Sequence, residues 1–380
     1  MELEAALLEA FRERYATTTL TSQDVGVKHW IIFHAKVLRS TNYLLIPLHV
    51  SPPTSESLRE AEYKLLLFAM YLSRSYPGST VGQYIFHVKA RHYFWLGFTD
   101  FRQFETAFFR LPILLRVLNK RSPGPSRVKK PLTKNVLRQL WVSIGPLFLS
   151  RDFECMVFWG VCTMAFQQLL RLNEVVLMTV KSQANKFPIP VSDITFFDSV
   201  GNLVPKPGAT TRIHSRAACD QAYKSAVAWE SIVAFAVVIA PPTKADPTAK
   251  NDPYYLPMSA GEAKFLCPCW VLWRMLAAFP VPAHGEQQTA LFRASPKPLA
   301  KQIGYAAFHK LFRAACRKAN VQYAGYGKHC FRVGGLNALQ DAGCSVPQLM
   351  AMGHWKSDAW TVYARRSRLS LMHYNNLMLR

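Results

Sequence analysis

Apolar residues recur at helical intervals through the first third of the chain. Their spacing of three to four positions is typical of amphipathic helices that pack one face against a core. The pattern predicts four such helices, over residues 22–38, 57–74, 79–97 and 101–119. This part of the sequence therefore predicts a small helical domain.

The rest of the chain mixes helices with short strands. Thr133 is a suitable N-cap for one helix, and the apolar stretch 153–169 predicts another that is buried on all sides. Between 190 and 258, β-branched and aromatic runs broken by Gly, Asn and Pro predict short strands. Helices are expected again over 299–319, 328–342 and 357–364. The predicted fold class is mainly α with a small antiparallel β-sheet, an α+β arrangement.

A basic segment separates these two parts. Residues 120–131 interleave Pro, Gly and Ser with five Lys or Arg residues, a composition typical of a linker. We therefore predict an extension over 1–19, a helical domain over 20–119, a linker over 120–132 and a second domain over 133–380. The linker is either an ordinary solvated loop or a strap that lies along the phosphates of a nucleic acid.

Charge and hydropathy narrow the class of partner. The chain has 46 Lys and Arg against 23 Asp and Glu, a formal net charge of +23. Such an excess favours a polyanionic partner, although it is also compatible with a basic surface that binds nothing. The longest nearly apolar run, 155–166, is far shorter than the roughly 20 residues that cross a bilayer. The acidic amino terminus is unlike a signal peptide, so we expect an intracellular protein that binds nucleic acid and no membrane.

The cysteines indicate a reducing compartment and no metal centre. Eight are scattered along the chain, and only Cys267 and Cys269 lie close together. No second Cys or His pair follows at zinc-binding spacing. We expect Cys267 and Cys269 to pack at the start of a helix, with Pro268 in its first turn.

Candidate chemistry is concentrated between residue 171 and residue 363. Each short motif there is weak by itself, because Arg-x-x-Glu and His-x-x-Arg both occur by chance in many chains. The order of the whole set is more specific: Arg171 and Glu174, then His329 and Arg332, then Gly353-His354-Trp355, then Tyr363 nine residues after His354.

In this order and spacing the sequence resembles the tyrosine recombinases, also called the phage-integrase family, over about residues 20–380. The resemblance implies a two-domain clamp around double-stranded DNA and a 3′-phosphotyrosyl intermediate, with Tyr363 as nucleophile. The sequences of several segments most resemble those of recombinases from eukaryotic mobile elements, the DIRS-like elements and Cryptons. This resemblance implies a nuclear location.

The residue types suit attack on a phosphodiester. Arg171 and Arg332 would bind the phosphate oxygens where charge develops, and Glu174 would orient these cations. His329 would act as acid or base, and His354 would donate a hydrogen bond to a phosphate oxygen. Because the phosphotyrosyl bond conserves the energy of the broken one, no ATP, metal or other cofactor is expected.

The family's lysine lies on a β-hairpin turn and would protonate the departing 5′-hydroxyl. Lys244 is the best match and Lys250 the second, although residues 208–230 lengthen this region like an insertion.

Tyr374 is the alternative nucleophile. The tail 367–380 is amphipathic enough to dock on its own domain or on a neighbouring subunit of a homo-tetramer. Candidate DNA-binding residues are Lys89, Arg91, Lys120, Arg121, Arg127, Lys129 and Lys130.

Two other functions remain open from the sequence. The chain could be a DNA-binding protein that descends from such an enzyme and has lost its chemistry. It could also be similar to a type IB topoisomerase, which uses the same chemistry as a monomer to relax supercoils.

Overall fold

The computed structural model describes residues 17–43, 45, 54–96, 108–122, 130–177, 189–207, 216–239, 253–297, 299–355 and 357–362. The chain divides into two compact units, residues 1–127 and 128–380, at a position inside the predicted linker. Within the described parts, every helix is too short or too polar to span a lipid bilayer.

The first unit is helical. Trp30, Phe33 and Phe68 are fully buried at its centre, with the rings of Trp30 and Phe68 edge to face at 5.1 Å. The first helix continues as a π-helical turn over His34–Leu38. Each of the four predicted helices has a counterpart in the structure, and the fourth helix begins later than expected. They are α1 (Thr17–Phe33), α2 (Ser55–Ser73), α3 (Gly78–Leu96) and α4 (Arg110–Arg121).

The second unit is built around one apolar helix. Asp152 caps it, because its carboxylate accepts from the amide of Cys155 at 2.8 Å. The side chains from Met156 to Phe166 are all buried, as the all-round apolar pattern predicts. Before it, Thr133 caps the preceding helix through the amide of Val136, also as predicted. These helices are α5 (Lys134–Leu149) and α6 (Phe153–Gln167), followed by the single turn α7 (Leu172–Val175).

A small antiparallel sheet covers another side of this core. Its strands are β1 (Ile194–Phe197), β2 (Leu203–Val204), β3 (Phe235–Val238) and β4 (Tyr254–Pro257), in the order β2-β1-β3-β4. Alternate residues face inward, and Phe196 packs edge-on against Trp273 at 5.0 Å. The predicted hairpin flanks are present, since Val238 pairs with Tyr254. The fold class predicted from the sequence is thus observed.

The described helices after β2 are α8 (Arg216–Trp229), α9 (Pro268–Ala278), α10 (Tyr305–Lys318), α11 (Cys330–Asp341) and α12 (Val346–Met352). As predicted, Cys267 and Pro268 begin a helix, and Cys267 and Cys269 are buried. Several boundaries differ from those expected. Helix α8 lies in a region for which only strands were predicted, and Trp273 Nε1 donates to Ala226 O at 2.8 Å, so this segment is part of the core.

Two further boundaries in the carboxyl-terminal part were wrong. Helix α10 begins at Tyr305 and not at 299, because residue 303 bonds to Phe292 and Leu177 as extended backbone. The helix expected over 357–364 is, in its described part, a 3₁₀ turn over Asp358–Val362.

Candidate active site

Two adjacent glycines set the position of helix α11. A Cβ at Gly334 would overlap the carbonyl oxygen of Leu132, and one at Gly335 would overlap that of Phe166. The helix therefore approaches two other backbone segments as only glycine permits. This contact places the first turn of α11, which contains Arg332 and follows His329, against the carboxyl end of α6.

Helices α6 and α12 end in the same way. Leu169 and His354 follow the two helices, and each adopts a left-handed backbone with φ of 50°. This turn is usually made by glycine, and a residue with a Cβ adopts it at some cost. The backbone bonds that close the two turns are both 2.9 Å: Leu170 N to Ala165 O and Trp355 N to Met350 O.

Arg332 joins these two helix ends. Its Nη1 donates to Leu169 O at 2.6 Å and its Nη2 to Gly353 O at 2.9 Å. Carbonyls at helix carboxyl ends lack helical partners and have a partial negative charge, so they attract a cation. The Arg332 side chain is buried, and its guanidinium carbon lies 4.3 Å from the ring centroid of Trp355.

Two residues of the Gly-His-Trp motif thus have a local structural reason. Gly353 must lack a side chain, because a Cβ would overlap the Trp355 ring. Trp355 covers the Arg332 guanidinium. His354 lies between them in the turn; it is half-buried, and its imidazole lies beside Tyr254 of the sheet.

Arg171 and Glu174 form a second charged group at the same place. The Glu174 carboxylate accepts from the backbone amide of Arg171 at 2.7 Å and from its Nη1 at 2.8 Å. The amide of Leu172 donates to Lys328 O at 3.2 Å, which places Arg171 beside the residue that precedes His329. Arg171 also lies two positions after Leu169, whose carbonyl binds Arg332. The Arg171 side chain is 31% exposed, so it is accessible to a substrate.

Tyr254 is a residue of this site that the sequence did not single out. Its ring is buried and lies edge-on to the His354 ring, with centroids 5.3 Å apart. Burial raises the pKa of the Tyr254 phenol, the Glu174 carboxylate raises it further, and the Arg332 guanidinium lowers it. Tyr254 is therefore close to Glu174 and to Arg332, and its phenol stays protonated at neutral pH.

Some sequence-predicted residues lie outside the described parts of the chain. These are Tyr363, Tyr374, Lys244, Lys250, Arg127, Lys129 and the tail 367–380. Strands β3 and β4 flank the segment that contains Lys244 and Lys250, and Tyr363 immediately follows the last described residue.

The described candidates for DNA binding differ in their surroundings. Lys120 and Arg121 are exposed in the last turn of α4. Arg91 pairs with Asp24 at 3.5 Å, and Lys89 lies over the Phe108 ring at 6.0 Å. Lys130 Nζ donates to Gln322 Oε1 at 2.8 Å.

The amide of Lys130 also bonds to the carbonyl of Gly325, at 3.0 Å. This end of the predicted linker is therefore fixed to the second unit and is not a free loop.

Comparison with known proteins finds no matching family model and no matching curated protein. Among the described residues, no group of three His, Cys, Asp or Glu side chains is placed to hold a metal ion. A functional assignment therefore depends on the residues of the site themselves.

Proposed function

We propose that this chain is a DNA strand-exchange enzyme of the tyrosine recombinase type, which cuts and rejoins duplex DNA through a 3′-phosphotyrosyl intermediate. The observation that supports it best is that the segments containing Arg171, His329, Arg332 and His354 meet where two helices end. These residues come from three segments far apart in sequence. Tyr363 follows His354 at the spacing expected of the nucleophile.

The arrangement suits stabilisation of a pentavalent phosphorane-like transition state. Attack by the Tyr363 oxygen forms a phosphorus–oxygen bond, while the bond to the 5′ oxygen breaks and the charge on the non-bridging oxygens grows. Fixed cationic donors at these oxygens lower the barrier, and loss of one such donor costs on the order of 3 kcal/mol. Arg171 and Arg332 supply these donors, and Glu174 orients Arg171.

Proton transfers complete the reaction. The phenol of Tyr363 loses its proton as it attacks, with His329 within one helical turn of Arg332 as the acid-base group. His354 donates a hydrogen bond to a phosphate oxygen, and Lys244 protonates the departing 5′-hydroxyl. Return attack by a 5′-hydroxyl of another strand releases Tyr363 and restores the phosphodiester.

The charge of the chain fits this substrate. A net charge of +23 favours a duplex partner, because many Lys and Arg side chains can displace the counterions that are condensed on its phosphates. In the proposed reaction both units bind double-stranded DNA, and four subunits cooperate on two duplexes, with the tail 367–380 docked on a neighbour. The protein would serve a mobile element in a nucleus.

Covalent capture tests this proposal. The full chain is incubated with a pool of nicked duplexes of randomised sequence, from which the short cleaved strand diffuses away, and the products are separated on a denaturing gel. We expect a protein–DNA band that disappears in Tyr363→Phe and persists in the matched control Tyr374→Phe.

Two other outcomes would support the alternative functions. DNA binding without a covalent band in any condition would favour a silent DNA-binding protein. A covalent band with supercoil relaxation, unchanged on dilution and without strand exchange between duplexes, would favour a topoisomerase.

A further inference from the structure

Tyr254 begins β4 at the point where the β3–β4 hairpin meets the site. It pairs with Val238 across the two strands. Successive residues of a strand face opposite sides, and β4 follows this rule: Tyr254 is 4% exposed and its neighbour Tyr255 is 62% exposed. The buried member of this tyrosine pair points towards the helix ends and the exposed member points away from them.

The contact with His354 is specific in geometry. The two rings are 5.3 Å apart at 81°, an edge-on arrangement that aromatic rings favour. The backbone of His354 is fixed by the turn after α12, but that turn leaves the two side-chain torsions of the imidazole to be set by neighbours. The Tyr254 ring is one such neighbour of the imidazole.

We propose that Tyr254 is a positioning residue, whose ring fixes the imidazole of His354 in the orientation that the phosphate needs. This inference rests on the proposed function and adds a residue to it. In this proposal Tyr254 acts through His354. Because it belongs to β4, it also ties the orientation of His354 to the hairpin whose connection contains Lys244 and Lys250.

The phenol itself is poorly suited to nucleophilic attack. Its pKa is raised by burial and by Glu174, so it is a weaker nucleophile at neutral pH than an exposed tyrosine. The ring makes the contact with His354, so in this proposal the ring, more than the hydroxyl, is the functional part. This distinction predicts that phenylalanine can replace Tyr254 and that leucine cannot.

The experiment compares Tyr254→Leu, Tyr254→Phe and the control Tyr255→Leu, which alters the exposed neighbour on the same strand. The imidazole of His354 is observed by nuclear magnetic resonance in protein with labelled histidine, and His354→Gln identifies its signal. Single-turnover cleavage, DNA affinity and melting temperature are measured on the same samples.

We expect Tyr254→Leu to move the His354 signal and to lower the cleavage rate by at least about tenfold, since small misplacements of catalytic groups are costly. DNA affinity should change by less than about twofold, because phosphate contacts made by Lys and Arg dominate it. Tyr254→Phe should restore the signal and most of the rate, and Tyr255→Leu should leave both unchanged.

An unchanged His354 signal in a folded Tyr254→Leu protein would overturn the inference, as would a Tyr254→Phe protein as slow as Tyr254→Leu. These results are separable from failure of the proposed function. If the wild-type chain formed no covalent complex, the recombinase proposal would fail, while the His354 signal would still decide whether Tyr254 positions that ring.

Discussion

The guanidinium of Arg332 lies over the ring face of Trp355, with the guanidinium carbon 4.3 Å from the ring centroid. The same guanidinium donates to the carbonyls of Leu169 and Gly353. Backbone at two helix ends and one aromatic ring thus fix the cation on three sides. In the proposed reaction, a phosphate at Arg332 would meet a cation that is already oriented, so binding would cost little side-chain entropy.

Replacing Trp355 should therefore lower the stability of the protein. Trp355→Leu removes the aromatic face and a buried ring, and we expect the free energy of unfolding to fall by about 3 kcal/mol. Trp355→Phe keeps an aromatic face and should lose about half as much. Urea unfolding measures the stability of both variants.

The matched control is Trp229→Leu at a half-exposed tryptophan, which should change stability by less than about 0.5 kcal/mol. Equal losses at Trp355 and Trp229, or equal losses in Trp355→Leu and Trp355→Phe, would contradict a role for the ring face.

Gly334 should tolerate no side chain. In Gly334→Ala the new methyl group overlaps the carbonyl oxygen of Leu132, so α11 must move away from the end of α6. We expect a loss of about 3 kcal/mol in the free energy of unfolding and a weaker contact of Arg332 with Leu169.

Gly82 is the control for Gly334, because it is also a helical glycine and a Cβ there meets no atom within 4 Å. Gly82→Ala should stabilise the protein by about 0.5 kcal/mol, since alanine loses less backbone entropy in a helix. The prediction fails if Gly334→Ala behaves like Gly82→Ala.

Much of the fold could be predicted from the sequence because its signals are local. An all-round apolar run gives the buried helix α6, and Thr133 and Pro268 mark helix starts. Helix α12 was not predicted, although Ser345 and Gln348 form a capping box before it and the amide of Ser345 bonds to Gln348 Oε1 at 2.8 Å.

The site was only partly predictable, for a physical reason. Motif order found Arg171, His329, Arg332 and His354, and the structure brings their segments together. Tyr254 has no motif, since tyrosine is common in strands, and its role depends on which of two adjacent tyrosines faces inward. The left-handed turn at Leu169 also has no signal, because glycine is the residue expected there.

The first unit should lose stability in mild acid. Burial lowers the pKa of His34 from 6.5 to about 4, with smaller effects of Lys64 and His92. Because this pKa is lower in the folded chain than in the unfolded chain, the unfolded chain binds the proton first as the pH falls. Stability is therefore full above about pH 6.5 and decreases towards pH 4, by about 3 kcal/mol for this one group.

Urea unfolding of the full chain at several pH values, monitored by hydrogen exchange in α1 and α2, tests this expectation. His34→Phe should flatten the pH dependence between 6.5 and 4, and Lys64→Met should reduce it slightly. A slope that is identical in His34→Phe and wild type would show that other groups are responsible.

Glu62 should stabilise the start of α4. Its buried carboxylate accepts from the backbone amides of Arg110 at 2.6 Å and Leu111 at 2.9 Å, and from Arg110 Nε at 3.1 Å. The positive end of the helix dipole strengthens these bonds. We expect Glu62→Gln to lower the free energy of unfolding by about 2 kcal/mol.

Glu60→Gln is the control for this change, since the Glu60 side chain is exposed and pairs with Lys64 at 2.8 Å. It should cost no more than about 0.5 kcal/mol. Thermal melts of the two variants give the comparison, and similar melting temperatures would argue against the cap.

The most direct test of the central claim is to identify the amino acid that becomes linked to DNA. Duplexes whose 5′ bridging oxygen is replaced by sulfur trap the intermediate, because the departing thiolate reattacks poorly. Digestion of the trapped complex and mass spectrometry then locate the linkage. We predict a 3′-phosphate on Tyr363, and linkage at Tyr374, at Tyr254 or at no residue would contradict the account.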